Sequence, residues 1–136
     1  TGGEFVCAAY LPDLHRHAQQ LGVRLVRHTG GAKGYYHHKT RTISTRRGMS
    51  IAQYRSTLAH ELGHAVYNDQ KPADNFDQRQ EERADRFAAK LLINDNELRH
   101  LAPWHSNDLH SLAIDLEVTP RLLEVYLRQH PNILKA

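Results

Sequence analysis

The stretch STLAHELGHAVYND, residues Ser56–Asp69, decides the fold because it contains His60, Glu61 and His64 in the order His-Glu-x-x-His. Each residue of an α-helix advances about 100° around the axis, so the two histidines project from one face about one turn apart. Two imidazoles in this arrangement can bind one ion, and neutral imidazole nitrogen is a good zinc ligand. The glutamate between them lies beside the metal position without pointing at it, where it can take a proton from a water molecule.

The residues around this motif predict an amphipathic helix from about residue 51 to residue 67. Ser50 suits the N-cap position, and an Asn-Asp pair follows the predicted end. Leu58 and Leu62 lie roughly opposite the histidines on a helical projection. One face therefore belongs to the core and the other carries the ligands, which argues against a chance pair among the eleven histidines of the chain.

A second helix, Glu81–Ile93 (EERADRFAAKLLI), offers a third ligand. Helical periodicity places Glu81 and Asp85 on its apolar side. Its polar side carries Glu82, Arg83, Arg86 and Lys90. A carboxylate pair that faces the core is costly unless a cation or hydrogen-bond donors receive it. We therefore predict that Glu81 is the third zinc ligand, and that Asp85 accepts a hydrogen bond that fixes the tautomer of His60. The alternative is an ordinary salt bridge between the two helices.

The motif HELGH followed by EERADRFAAKLL resembles the gluzincin pattern HExxH…ExxAD, and specifically the ImmA/IrrE family of metallopeptidases of phages, mobile elements and bacterial stress regulators. The resemblance covers about residues 25–93 well and the C-terminal part loosely. It implies the same three zinc ligands and Glu61 as the catalytic base. Two positions depart from the pattern. Arg83 stands where such proteins often have a second acidic residue, and Asn94 stands where a helix-ending proline is common.

By this resemblance, the expected function is that of a zinc-dependent endopeptidase that cleaves a DNA-binding transcriptional repressor and so relieves repression of phage, mobile-element or stress genes. Zn2+ is the expected cofactor. A rival function from another class is a zinc-bearing anti-repressor that acts by protein binding without cutting. The oxyanion of peptide hydrolysis needs a donor besides zinc. Tyr67, His105 and His110 are candidates for that donor, and the sequence does not decide among them.

The remaining segments predict an α+β fold of the zincin-like type, with a small antiparallel three-stranded sheet packed against the active-site helix and additional C-terminal helices. An N-terminal helix is predicted over Cys7–Leu21. The strands are predicted at Val23–Arg27, Tyr35–His38 and Thr42–Thr45. The resemblance also implies a strand at the edge of the cleft that pairs with an extended peptide substrate through main-chain hydrogen bonds. Our candidate for this edge is Thr42–Thr45.

The C-terminal part, residues 94–136, predicts helices around Leu109–Leu116 and Pro120–Gln129 that resemble part of a helix-turn-helix. Glu117 stands where that motif usually has glycine. The second helix offers only Arg121 and Arg128 for phosphate contacts, whereas a DNA-reading module normally has a denser cationic face. We therefore favour closure of the domain core, or docking of a protein partner, over DNA binding.

The composition of the chain limits its number of domains, its partners and its location in the cell. A chain of 136 residues with 40% hydrophobic content fits one compact domain over residues 1–136. Its net charge of +3, without a long Lys/Arg run, does not favour nucleic acid as a direct partner. The single cysteine, Cys7, cannot form an intrachain disulfide, and the sequence has neither a membrane-spanning run nor a signal-peptide pattern. We therefore expect a cytoplasmic protein, and we interpret Thr1–Phe5 as a cloning remnant or a truncation point.

Overall fold

The computed structural model describes residues 12–70, 77–106 and 108–134. In these residues the helices are α1 (Leu14–Gln20), α2 (Ile51–Val66), α3 (Gln78–Leu92), α4 (Asp95–Leu101), α5 (Leu109–Leu116) and α6 (Pro120–Gln129). The strands are β1 (Arg24–His28), β2 (Gly34–His37) and β3 (Thr42–Arg46). The predicted α+β class is confirmed. The predictions for Thr1–Phe5 and for the first part of the N-terminal helix with Cys7 lie outside the described residues.

The sheet is mixed and has the strand order β1-β3-β2. Ile43 of β3 lies opposite Leu25 of the parallel β1 and opposite Tyr36 of the antiparallel β2. The prediction of a fully antiparallel sheet is therefore wrong for β1, and the predicted edge strand is the central strand. The strand order differs from the prediction because the connection after β1 leaves room for β3 between β1 and β2. Gly30 and Gly31 in this connection both have positive φ, a conformation that glycine adopts at little cost.

The polar composition of β3 does not indicate that β3 is the central strand of the sheet. Strands buried on both faces are usually apolar runs, but residues 42–45 read Thr-Ile-Ser-Thr and are all buried. Two of the buried hydroxyls have partners inside the protein. Ser44 Oγ lies 2.6 Å from His28 Nδ1, and the Thr42 hydroxyl donates to the Thr40 carbonyl oxygen at 3.1 Å. These hydrogen bonds let a polar sequence occupy the middle of the sheet.

Helices α2 and α3 form the scaffold of the site. Helix α2 begins at the predicted N-cap, Ser50, which forms a capping box with Gln53. Helix α3 begins at Gln78, three residues before the predicted start, because Asp77 caps its first turn. The two helices approach closely at Gly63, where a Cβ would lie 3.0 Å from Ala84 Cα. This close approach brings the start of α3 alongside the histidines of α2.

Helix α6 packs against α3, and α5 packs against α6, so that Leu112 and Leu123 join the same core. Glu117 joins α5 to α6 with φ at 57°, the left-handed conformation that explains the glycine usual in this turn. The buried Arg55 of α2 donates to the carbonyl oxygens of Leu116 at 3.3 Å and Glu117 at 2.9 Å, at the end of α5. Among the described residues, none of the helices has the length and apolar character that a membrane crossing requires.

Candidate metal centre

Three side chains from α2 and α3 converge at one point. The Nε2 atoms of His60 and His64 are 3.2 Å apart. Glu81 places Oε1 at 3.1 Å from His60 Nε2 and Oε2 at 2.9 Å from His64 Nε2. The structure therefore brings together all three residues that the sequence predicts as zinc ligands, and it does so on the faces that helical periodicity assigned to them.

The other ring nitrogen of His60 is held by a carboxylate. His60 Nδ1 lies 2.8 Å from Asp85 Oδ1, which is the contact predicted from the sequence. The second oxygen of Asp85 accepts a hydrogen bond from Arg121 Nη2 at 2.8 Å. Asp85 is 6% exposed, so this carboxylate is desolvated and depends on both partners. The chain of contacts His60–Asp85–Arg121 links the candidate metal centre to α6.

His64 has an equivalent pair of partners that the sequence did not reveal. His64 Nδ1 lies 2.9 Å from Asp69 Oδ2, and the other oxygen of Asp69 accepts a hydrogen bond from Arg83. Helical periodicity could not find Asp69, because the residue lies beyond the end of α2. Asn68 adopts positive φ and turns the chain, so that the Asp69 amide donates to the His64 carbonyl oxygen at 2.9 Å. Arg83, on the predicted polar side of α3, reaches this buried carboxylate with its long side chain.

The geometry and chemistry of these donors fit a zinc ion. Tetrahedral zinc with bonds of about 2.0–2.1 Å has ligand atoms about 3.3 Å apart, close to the 3.2, 3.1 and 2.9 Å separations of His60, His64 and Glu81. Asp85 and Asp69 can each accept an Nδ1–H, which leaves both Nε2 atoms, next to the Glu81 carboxylate, able to bind a cation. A cation at this position would relieve the repulsion among these groups.

The electrostatic surroundings also favour a positive charge. The pKa of His60 is raised from 6.5 to about 9. Burial is the largest single influence and acts to lower this pKa, but the hydrogen bonds to Asp85 and Glu81, together with the negative charge of Glu61, outweigh it.

Glu61 lies in the cleft that opens beside these ligands. The cleft has a volume of about 340 Å³. Its lining includes His60, Glu61, Glu81 and Asp85, residues Lys33 and Gly34 at the start of β2, and Thr119, Arg121 and Leu122 around the start of α6. Gly34 permits the close approach of β2 to α2, because a Cβ there would lie 2.5 Å from Thr57 Cγ2 and 3.5 Å from Glu61 Cγ. The strand that borders this cleft is therefore β2, and not the predicted Thr42–Thr45.

The structure does not bring the three candidate oxyanion donors into this cleft. The Tyr67 ring is 44% exposed and stacks on the guanidinium of Arg83, with 4.1 Å from Cζ to the ring centroid. The helical rise of 1.5 Å per residue places Tyr67 about 10 Å along the axis from His60, which separates it from the cleft. His105 contacts Asp115 at 2.6 Å, and His110 lies exposed on α5. Among the described residues, the cations that line the cleft are Lys33 and Arg121.

Comparison with known protein families shows which family matches the part of the chain that holds this arrangement of residues. The family model of the IrrE N-terminal-like domain of peptidase M78 matches residues 18–128. The chain belongs to the ImmA/IrrE family. In this ImmA/IrrE protein the matched region holds α2, α3 and most of α6, so it includes the whole histidine-carboxylate cluster. A search among curated proteins found no match. Membership of the family indicates a metallopeptidase-type role.

Proposed function

We propose that this ImmA/IrrE protein is a zinc-dependent endopeptidase. One observation carries the proposal: His60, His64 and Glu81 converge on one point, and Glu61 lies in the cleft beside them. A zinc site with three protein ligands leaves a position for water, as catalytic zinc sites do. A salt bridge between the helices needs one histidine and one carboxylate, whereas this site brings two imidazoles to the same carboxylate.

The roles of the residues follow from their positions. His60, His64 and Glu81 hold the ion, and Asp85 and Asp69 hold the two imidazoles in the tautomer that binds metal. Zinc bound here would lower the pKa of its water ligand and would polarise the carbonyl group of the scissile bond. Glu61 accepts the proton of the attacking water on its carboxylate and returns it to the leaving amine nitrogen. Its burial, at 5% exposure, keeps this proton transfer away from bulk water.

The outer edge of β2 is the proposed binding surface for the peptide backbone. In the strand order β1-β3-β2 this strand pairs on one side with β3, and no described strand pairs with its other side. Lys33 and Gly34 place the start of this edge in the cleft. An extended substrate that adds to a sheet edge is held by main-chain hydrogen bonds with little dependence on its side chains.

We further propose that the substrate is a DNA-binding repressor of phage, mobile-element or stress genes. The sequence resemblance to ImmA/IrrE metallopeptidases is the basis for this substrate class. The repressor encoded beside the gene is the first substrate to test.

The experiment compares the wild-type protein with Glu61→Gln on this repressor, with and without a chelator, and identifies new peptide ends by mass spectrometry. Wild type should cut at defined sites, and the chelator should stop cleavage. Glu61→Gln should retain zinc but lose cleavage. Asp95→Asn is the control of equal charge change, because Asp95 is exposed at the start of α4 and lies outside the cleft. Relief of repression is measured separately in cells. If Glu61→Gln relieves repression as strongly as wild type does, the proposal is contradicted and an anti-repressor that acts by binding is favoured.

A further inference from the structure

The cleft continues along the surface between α3 and α6. Asp85 and Arg121 border both the cleft and a second hollow of about 300 Å³, which Arg86, Arg128 and Gln129 also line. Arg86 and Gln129 in turn border a third hollow of about 690 Å³, which extends to Lys90 and Phe87. Since neighbouring hollows share lining residues, they lie side by side along this surface, which we call the α3–α6 groove. It starts at Arg121 and ends near Phe87.

The α3–α6 groove is positively charged. Arg86 and Lys90 are exposed and form no ion pair within the described part of the chain. Arg128 has only a long contact of 3.9 Å with the exposed Glu124. The acidic residues that line the groove are Asp85, which is held by His60 and Arg121, and Glu82, which accepts a hydrogen bond from Gln78. Several cations therefore remain available to an anionic ligand.

We propose that the α3–α6 groove binds acidic side chains of the substrate polypeptide on one side of the scissile bond. This proposal rests on the proposed peptidase function, because it assigns the groove to the same substrate that occupies the cleft. Each exposed charge pair contributes little alone. A row of cations that leads into a cleft nevertheless raises the rate of encounter with an oppositely charged partner and sets its direction of binding.

A polypeptide fits this path better than a nucleic acid. The groove leads into a cleft that contains the carboxylates of Glu61, Glu81 and Asp85. Phosphates entering the cleft would be repelled by these groups, whereas a peptide can place a neutral backbone there and its acidic side chains further along the groove.

A binding experiment tests the groove without cleavage. Zinc-loaded Glu61→Gln is titrated into two fluorescent peptides of equal length, one rich in glutamate and the other with glutamine at the same positions. We expect the glutamate peptide to bind about fivefold more tightly at low salt, and this advantage to shrink as salt screens exposed charges. Adding Arg86→Gln with Arg128→Gln should remove the advantage.

The matched control is Arg24→Gln with Arg47→Gln, which removes the same charge from exposed positions at β1 and after β3. This control should retain the preference. Equal binding of the two peptides would overturn the proposal, as would equal losses in the two double variants. Duplex DNA that binds more tightly than the glutamate peptide, and loses affinity in Arg86→Gln with Arg128→Gln, would also overturn it in favour of a nucleic-acid site.

A cleavage experiment separates this proposal from the function on which it rests. The wild-type protein is incubated with a complex mixture of peptides, and the residues around each cut are counted by mass spectrometry. We expect aspartate and glutamate to be enriched on one side of the cut, and this enrichment to disappear in Arg86→Gln with Arg128→Gln while cleavage continues. Cleavage without acidic enrichment would overturn the groove proposal alone. If neither this mixture nor the repressor is cut, the peptidase function itself is overturned.

Discussion

At the scale of single residues, the side chain of His64 is more deeply buried than that of His60. The side chains of His64 and its partner Asp69 are 2% and 3% exposed, whereas that of His60 is 17% exposed. His60 faces the cleft, and its partner Asp85 is tied to Arg121, whose side chain is 75% exposed. Removing the Asp69 charge therefore affects a buried site that water cannot enter readily to compensate. The contact between His60 and Asp85 borders the cleft, so water can reach it more easily than the contact between His64 and Asp69.

Replacement of Asp69 by asparagine should lower zinc affinity about 10- to 100-fold, because a ligand histidine without its carboxylate partner is less basic and less well oriented. Competition with a chromophoric chelator measures this affinity. Glu82→Gln should leave it unchanged. An Asp69→Asn protein with wild-type affinity would show that the contact between His64 and Asp69 does not orient the ligand.

Periodicity placed Glu81 and Asp85 on the inward face of a helix, and the structure has both there. It could not place Asp69 or Arg83 in the site. The position of Asp69 depends on the backbone turn at Asn68, and the reach of Arg83 depends on the distance between α2 and α3. Neither quantity is encoded in the spacing of residues along one helix.

At the scale of elements, the site depends on how closely β2 and α3 approach α2. Gly34 and Gly63 mark the two contacts, since a Cβ at either position would meet a neighbour at 3.0 Å or less. The Gly34 contact positions the edge of the sheet beside Glu61. The Gly63 contact positions Glu81 beside the histidines. Small residues at these points thus set the dimensions of the cleft.

Gly34→Ala should reduce cleavage while zinc content stays the same, because the new methyl group would push β2 away from Thr57 and from Glu61. Adding Thr57→Ser removes the Cγ2 atom that the methyl would meet, and it should restore much of the activity. Steady-state kinetics on one substrate measure both effects. Failure of the second change to rescue the first would show that the crowding at Thr57 is not the cause.

Arg55→Met should lower the free energy of unfolding by about 1–3 kcal/mol, because the carbonyl oxygens of Leu116 and Glu117 would lose a charged donor in a buried place. Urea denaturation measures this change. Arg24→Met, at an exposed position on β1, should change stability by less than about 0.5 kcal/mol. A loss for Arg55→Met no larger than that of the control would contradict this role.

Helices α2, α3, α5 and α6 were predictable from sequence because apolar periodicity and capping residues act locally, whereas α4 was not predicted. The bounds of α5 and α6 agree with the predicted segments, and α2 starts at the predicted cap. Strand pairing was not predictable. The order β1-β3-β2 depends on contacts between segments that are distant in the chain, and the polar composition of β3 resembles that of an edge.

At the scale of the whole molecule, a zinc ion would join α2 to α3 and, through Asp85 and Arg121, would link both helices to α6. Zinc at about 100 times its dissociation constant should then raise the free energy of unfolding by about 2.7 kcal/mol. Glu81→Gln should lose most of this gain, whereas Glu61→Gln should keep it. Thermal or chemical denaturation with and without zinc distinguishes these cases. Equal stabilisation of Glu81→Gln and wild type would indicate that zinc binds elsewhere.

X-ray absorption at the zinc edge, on protein loaded with one equivalent of zinc, tests the ligand set most directly. We predict two imidazole ligands and one carboxylate, with zinc–nitrogen and zinc–oxygen distances of about 2.0–2.2 Å, one further oxygen from water, and no sulfur. The imidazole signal should fall in His64→Ala. A zinc–sulfur distance of about 2.3 Å, or a shell without imidazole, would contradict the assignment of His60, His64 and Glu81.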